Sequence, residues 1–407
     1  MNIVKRILKA NRNRDAERLA LKYKSMRAGR FSFFRGTCHL FYDRLIENGF
    51  GTDAPLAWTC GDLHLENFGS YKGDNRLVYF DLNDFDEAAL APTTWELVRL
   101  LTSVHVGLEE QDMLRAEATL LVERLISSYA AALVIGKAAW IERDIASGVV
   151  RELLDKLRER KRADFLAKRT RLSRRRRRLL VDGVRMLPID DAERGVVNDF
   201  MKEFATTQAN PDFYRVLDVA RRIAGTGSLG VTRYAILVEG NGSPDRNYLF
   251  DLKQSGPSSL GQHFARLQPR WTSEAERITK LQSRMQAVTA AFLQPVMLEG
   301  RPFVLRALQP VEDRLPFGRL REHAGRAECA MDVMARCLAW AQLRSAGRQG
   351  AADADALIAF AGKNKWRREI AQAAATMAHQ VTLDWENYCL AFDAGQFEIE
   401  MQAEPNS

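Results

Sequence analysis

The sequence predicts an α+β protein of two lobes, one a small antiparallel β lobe and the other large and mainly helical. Three observations carry that expectation. Residues 213–255 turn from helical to β-rich patterning around a glycine turn, AGTGSLG (224–230). The stretches around 94–180 and from Gly325 nearly to the end read as helix by their apolar spacing. Residues 61–87, GDLHLENFGSYKGDNRLVYFDLNDFDE, set two oxygen-rich loops around an apolar strand. At 407 residues the chain is long enough for two or three lobes with cores of their own.

Taken in order, residues 1–57 form an N-terminal helical segment, with FSFFRGTCHLFYDRL (31–45) amphipathic. Residues 58–204 form a first part of the large lobe. Here a strand from Leu56 to Cys60 delivers the GDLH loop, and a turn at Lys72-Gly73-Asp74-Asn75 precedes the strand Leu77 to Phe80. Pro92-Thr93-Thr94 opens the helical stretch 94–180, and Pro188 with Asp190-Asp191 marks a break. Residues 205–310 form the small lobe. After the glycine turn come a hairpin loop, NGSPDRN, a strand from Tyr248 to Lys253, a helix over 272–295 and a strand from Pro302 to Pro310. Residues 311–407 are C-terminal helices that complete the large lobe.

Composition narrows the setting. The five cysteines are widely spaced, with no CxxC pair, which argues for a reducing, cytoplasmic setting and against a zinc site or disulfide scaffold. The basic N-terminus lacks the continuous apolar core of a signal peptide. The most apolar run, Ala130 to Ile141, is interrupted by Lys137 and too short to span a bilayer, so no membrane partner is expected. The net charge of +8 is local: residues 151–178 hold fourteen Lys/Arg against four Asp/Glu, and the remainder is slightly acidic. The run RLSRRRRRLL (171–180) suits an acidic partner, but reads first as a solvated helix face or linker. No aromatics interleave with it, which argues against a nucleic-acid partner.

The 61–87 stretch is the chemical core of the sequence. A carboxylate and a carboxamide on one loop, Asp62 and Asn67, face further carboxylates at a strand end, Asp81, Asp84, Asp86 and Glu87. Hard oxygen donors of this kind grip a divalent cation and leave one carboxylate to face a substrate hydroxyl. Positioning and charge neutralisation of that sort are what phosphoryl transfer requires. Asp81, Asp86 and Glu87 read either as further metal ligands or as a solvated strand end. His64 reads as a buried support of the loop, because no other histidine lies at ligand spacing. Arg35 either faces phosphate or pairs with a carboxylate.

Gly225-Thr226-Gly227-Ser228-Leu229-Gly230 is a GxGxxG, but a β-branched, alternating segment follows it, so a strand and not a helix comes next. Strand, glycine turn, strand is the nucleotide-covering arrangement of protein-kinase-like proteins, in which backbone N–H groups approach phosphate without an intervening Cβ. Lys253 then fits the lysine that pairs with the α- and β-phosphates, and the 272–295 helix offers Glu274 or Glu276 to that lysine. The order of parts is reversed relative to kinases, with the catalytic-type loop first. One circular permutation reconciles the two, with a cut between the helix 328–346 and the loop near Trp58.

The segments FSFFRG (31–36), GDLHLENFG (61–69), NDFDEA (83–88), PTTWELVRLLTS (92–103), AGTGSLG (224–230) and LFDLKQS (249–255) resemble the bacterial domain of unknown function 2252 family. That family is in turn similar to aminoglycoside-phosphotransferase, kinase-like enzymes. The resemblance implies Asp62 as the catalytic aspartate, Asn67 and Asp84 as metal ligands, and Lys253 as the phosphate-binding lysine; Asp86, from the acidic strand end itself, is a further metal-ligand candidate. Gly225, Gly227, Ser228 and Gly230 would bind nucleotide. The chain departs from the family pattern at Glu96, Gln254 and Gln342. The implied activity is an ATP-dependent phosphotransferase using Mg²⁺ or Mn²⁺ on an unidentified hydroxyl acceptor. An AMP transferase or a nucleotide-binding pseudokinase on the same fold are the alternatives. A binuclear metallophosphoesterase is set aside because no histidine follows Gly-Asn.

Overall fold

The computed structural model describes residues 2–51, 53–309, 313–315 and 325–403. Four short helices open the chain: α1 (Ile3–Ala10), α2 (Ala16–Ala28), α3 (Arg30–Gly36) and α4 (Cys38–Glu47). Asn2 and Asp15 start the first two by accepting from backbone N–H groups one turn on, as polar N-caps do. Strand β1 (Leu56–Thr59) then follows, with the hairpin β2 (Phe68–Lys72) and β3 (Val78–Leu82), and β4 (Ala89–Pro92). β4 pairs with β1, Trp58 opposite Leu90. Helices α5 (Thr93–Glu109) and α6 (Arg115–Ile135) come next. α5 is buried along nearly its whole length, the pattern of a central helix. α6 is long and apolar enough to cross a membrane by length and composition, yet half of its most apolar window is buried inside the fold.

The expected helical stretch 94–180 stops early. After α6 come β5 (Ile141–Glu142), α7 (Gly148–Glu159), α8 (Arg162–Ala167) and a hairpin, β6 (Thr170–Ser173) with β7 (Arg176–Leu179). The arginine run is therefore a hairpin and not a helix face. Arg174 and Arg175 form its turn at φ 46 and φ 59. Along β7 Arg177 and Leu179 point inward and Arg176 and Arg178 outward, the period of a strand. Arg177 can sit inside because its guanidinium meets Asp245 (2.7 Å), Pro244 O (2.6 Å) and Thr170 Oγ1 (3.1 Å).

The main sheet has six antiparallel strands in the order β12-β13-β11-β10-β9-β8. These are β8 (Met186–Leu187), β9 (Val216–Arg222), β10 (Arg233–Val238), β11 (Tyr248–Gln254), β12 (Gln294–Leu298) and β13 (Arg301–Ala307). Helix α9 (Asp191–Thr206) packs Val197, Met201 and Phe204 on the face made by Ile236, Val238, Phe250 and Leu305. Leu166 of α8 and Leu179 of the hairpin cover the other face, against Ala235, Leu237 and Leu249. The sheet and its covers thus begin upstream of residue 205. The expected strand 302–310 runs only to Ala307, and residues 310–312 lie outside the described residues. Between β11 and β12 sit α10 (Ser259–His263) and α11 (Glu274–Met285). The expected helix 272–295 ends at Met285, where Gln286 donates to Leu82 O (2.7 Å) and Ala287 N donates to Asp81 (3.1 Å). Those tertiary bonds draw the chain off the helix axis before β12 begins.

The C-terminal part is helical: α12 (Arg326–Ser345), α13 (Ala354–Ala361), α14 (Lys365–Asp393) and α15 (Gln396–Ala403). α12 packs on α6, and α14 packs on α5. Buried Gln342 of α12 accepts from Thr93 Oγ1 at 2.7 Å. The chain leaving α12 returns to β1: Trp58 Nε1 donates to Arg348 O (2.9 Å) and Ala352 N to Leu56 O (2.8 Å). α14 also grips the N-terminal helices, through Tyr388 to Tyr23 O (2.8 Å) and through Asp384, which pairs with Arg44 at 2.7 Å. The fold is a mixed α+β one built around the six-stranded sheet.

Candidate active site

The loop after β1 is held by its backbone. Gly61 sits at φ +80, and a Cβ there would lie 2.0 Å from Glu87 O, so only glycine fits. Glu96, 0% exposed on α5, accepts from Cys60 N (2.6 Å) and Gly61 N (3.1 Å). Burial pushes the Glu96 carboxyl up to about 7 against those hydrogen bonds. Arg99, one turn further along α5, donates to Asp62 Oδ1 from Nε at 2.8 Å and also from its Nη2. Its guanidinium lies over the rings of Phe34 (4.1 Å) and Phe41 (4.8 Å), an oriented cation in an aromatic box. Burial pushes Asp62 up to about 6; Arg99 pulls it down, and Glu87 and Asp84 push it up. Gly227 stands across from the second oxygen, and a Cβ on it would be 4.0 Å from Asp62 Oδ2.

The rest of the loop is tied to Asp62. His64 accepts from Glu66 N at 3.2 Å and so caps the single turn Leu65–Asn67. Burial, then Arg35, holds its imidazole well below the usual range, so it is a neutral support. Asn67 donates its amide N–H to Asp62 O (2.6 Å), which leaves its carbonyl oxygen as the atom with ligand capacity. Arg35 pairs with Glu66 at 2.5 Å, and Arg314 stands 3.7 Å from the same carboxylate.

The acidic strand end divides by role. Asn83 N donates to Asn67 O (2.9 Å) and joins the two loops. Burial would raise Asp84, but Lys253, Arg306 and Arg314 outweigh it and hold the carboxyl below its ordinary range. Asp86 pairs directly with Lys253. Glu87 accepts from Ser259 N (2.5 Å) and Ser259 Oγ (2.7 Å) and serves as a brace. Asp81 turns away to Arg344 (2.8 Å) and Ala287 N (3.1 Å), so it supports the fold. Among the described residues no group of three His, Cys, Asp or Glu side chains stands close enough to hold a metal. Asn67, Asp84 and Asp86 are among the oxygen-bearing side chains that line the cleft, together with Asp62 and Glu87.

The glycine turn joins β9 to β10, with Gly225 at φ +73 and Gly230 at φ +88. Lys253 lies on β11 opposite Arg233 and is 6% exposed. Beneath it, Asp251 is fully buried among Arg222 (2.8 Å), Arg233 (2.6 Å) and Arg306 (3.5 Å), a compensated charge cluster that fixes the sheet edge. A single cleft of about 660 Å³ is lined by Asp62, Asn67, Asp84, Asp86, Gly225, Gly227, Ser228, Gly230 and Lys253. All nine sequence-derived candidates therefore face one space.

The glutamate expected beside Lys253 is a correction. Glu274 pairs with Arg277 (2.6 Å), and Glu276 bonds Thr272 N (2.6 Å) and Lys280 (2.5 Å). Both sit in the first turn of α11, where they satisfy the helix start, and Asp86 takes the lysine instead. The residue that α11 contributes to the site is Arg277, which donates to Asp86 O (2.8 Å) and Gly256 O (3.0 Å).

The sequence reading also missed the N-terminal segment as a wall of the cleft. Arg14 donates to Gly227 O (2.7 Å) and Leu229 O (3.1 Å), Arg18 to Val231 O (3.1 Å), and Lys22 to Gly227 O (3.4 Å). Asp15 N donates to Gly230 O at 3.0 Å. Arg14, Arg18 and Lys22 recur every four residues, the last two on one face of α2 and Arg14 just before its N-cap. That spacing was the available signal.

A family model described as an uncharacterized protein conserved in bacteria (DUF2252) matches residues 14–391. No curated protein and no solved structure matches the chain.

Proposed function

The chain belongs to the DUF2252 family of uncharacterized proteins conserved in bacteria, and we propose that it is an ATP-dependent phosphotransferase of kinase-like, circularly permuted architecture, acting on a hydroxyl acceptor. The observation that carries this reading is the shared cleft. Two segments far apart in the chain, 62–86 and 225–253, turn their polar residues into one space between the six-stranded sheet and the loop after β1. The bonds from the end of α12 to β1 support the permuted order, because a cut between those two points leaves them neighbours.

The residues fit a magnesium or manganese ion. Asn67, Asp84 and Asp86 are few and hard, a donor set that leaves room for phosphate and water. Asp84 is held ionised by Lys253, Arg306 and Arg314, the state a ligand needs. The ion, when bound, would neutralise charge on the phosphate oxygens. Lys253 would contact the α- and β-phosphates, and the glycine turn would cover them.

Asp62 would act on the acceptor. Arg99 occupies Oδ1 and sets the carboxylate plane, while Oδ2 faces the glycine turn. The bond from the γ-phosphorus to the bridging oxygen breaks, and its electron pair leaves with ADP. A bond forms from the γ-phosphorus to the acceptor oxygen, and the hydroxyl proton passes to Asp62. A carboxyl pushed up to about 6 suits that transfer, being mostly deprotonated at neutral pH yet basic enough to take a proton.

Calorimetry with ATP, with and without magnesium, is the test of nucleotide binding. Binding that strengthens with magnesium is expected, and no binding under either condition would sink the reading. Mass spectrometry of products formed from ATP and cell extract then separates a gain of phosphate from a gain of AMP.

A further inference from the structure

The N-terminal wall of the cleft carries basic side chains that have no carboxylate partner among the described residues, and burial and then Arg14 push the Lys22 amine well below its ordinary range. Lys22 is 2% exposed, and its hydrogen bonds run to Asn11 Oδ1 (2.8 Å) and Gly227 O (3.4 Å). Arg14 donates to the carbonyls of Gly227 and Leu229. Among the described residues neither has a carboxylate within ion-pair distance. His39 lines the same wall, and its buried Nε2 has no hydrogen-bond partner. Burial and then Lys22, Arg14, Arg99 and Arg6 push the His39 imidazole down to about 3. Two nearby carboxylates, Asp43 and Glu47, are engaged by Arg6, at 3.8 Å and 2.5 Å. Buried cations that meet only neutral acceptors are costly, and an anion removes that cost.

We infer that the acceptor is itself an anion, a hydroxyl compound whose carboxylate or phosphate group is received by Arg14, Lys22 and His39 at the N-terminal wall of the cleft. The inference rests on the phosphotransferase reading. Two observations put these cations on the acceptor side. Arg14 and Lys22 both donate to Gly227 O, and Gly227 stands across from Asp62, where a Cβ would lie 4.0 Å from Oδ2. The nucleotide side already has its own cation in Lys253, paired with Asp86. An anionic group held by Arg14 and Lys22 would bring a neighbouring hydroxyl beside Asp62. A cationic acceptor would be repelled from the same wall.

The test is calorimetric titration of inorganic phosphate into protein saturated with magnesium and a non-hydrolysable ATP analogue. Phosphate is expected to bind the loaded protein. Arg14→Gln and Lys22→Met should each weaken phosphate about tenfold or more, and weaken the analogue, whose covering turn they also hold, by a clearly smaller factor. Arg14 is half-buried, so Arg14→Gln keeps the test alive if Lys22→Met does not fold. Failure of phosphate to bind the loaded protein overturns the inference. So does a loss of analogue affinity equal to the loss of phosphate affinity, because the cations would then serve the nucleotide. An analogue that does not bind wild-type protein at all removes the phosphotransferase reading, and the acceptor inference with it.

Discussion

Asp62 and Glu96 are both carboxyls held inside the protein, and opposite partners separate their work. Asp62 meets the Arg99 guanidinium, as the base of the proposed transfer would; Glu96 accepts from the backbone N–H groups of Cys60 and Gly61 and so shapes the loop. Asp62→Asn should lower transfer by about 10²- to 10⁴-fold and leave nucleotide affinity within about threefold, measured by single-turnover assay and calorimetry. Unchanged turnover would remove Asp62 from its proposed role. Activity should rise with pH through about 6 as Asp62 loses its proton. Stability runs the other way. Both carboxyls titrate higher in the folded chain than in the unfolded one, so their contribution is complete below the ordinary carboxylate values. It is lost as pH rises through about 6 for Asp62 and about 7 for Glu96. Glu96→Gln keeps an acceptor for Cys60 and Gly61 but has no proton to lose. It should therefore flatten the fall in unfolding free energy between pH 5 and 8, by on the order of 3 kcal/mol, in urea titrations.

The elements that form the site are two turns, and their glycines answer to different constraints. Gly61 is pinned by Glu87 O, 2.0 Å from where a Cβ would sit, whereas Gly225 has nothing within 4 Å and is constrained by φ +73 alone. Gly225→Ala should cost about 1–2 kcal/mol, the strain of a left-handed residue. Gly61→Ala must in addition push two backbone segments apart, and should cost more than Gly225→Ala in the same denaturation experiment. Equal costs would mean that the Gly61 turn relaxes freely. The glycine turn also depends on α2 and the residues before it, since the carbonyls of Gly227, Leu229, Gly230 and Val231 find their donors there. Removing residues 1–28 should raise amide exchange across 225–231 and weaken nucleotide binding about tenfold. Unchanged exchange would show that the turn stands by itself.

At the scale of the whole molecule, helices from the two ends of the chain pack together, α1 against α14 and α15. α14 lies against α5, which carries Glu96 and Arg99, and also grips Tyr23 and Arg44 of the N-terminal segment. Chain ends that look peripheral in sequence thus stand behind the site. The six-stranded sheet stands opposite, with Asp251 and its three arginines bracing the strand that presents Lys253. Charge is used in two ways: matched where the sheet must be rigid, and unmatched along the wall formed by Arg14 and Lys22, where a ligand would supply the missing sign.

The sequence by itself determined the parts governed by near neighbours. The loop 61–67, the strand end 81–87, the glycine turn and the strand of Lys253 were readable because turn residues and two-residue alternation are local properties. Tertiary structure decided which partners the long side chains would meet. Arg177 reads as one of five consecutive arginines and is buried only because Asp245 and Pro244 O lie across from it. Glu274 and Glu276 stand on the expected helix but serve its first turn, and Asp86 reaches Lys253 instead. Arg14 and Lys22 have the spacing of a solvated helix face until the glycine turn folds onto them. Backbone preference acts over a few residues, whereas the partner of a charged side chain depends on where distant segments cross, and one sequence pattern fits several such crossings.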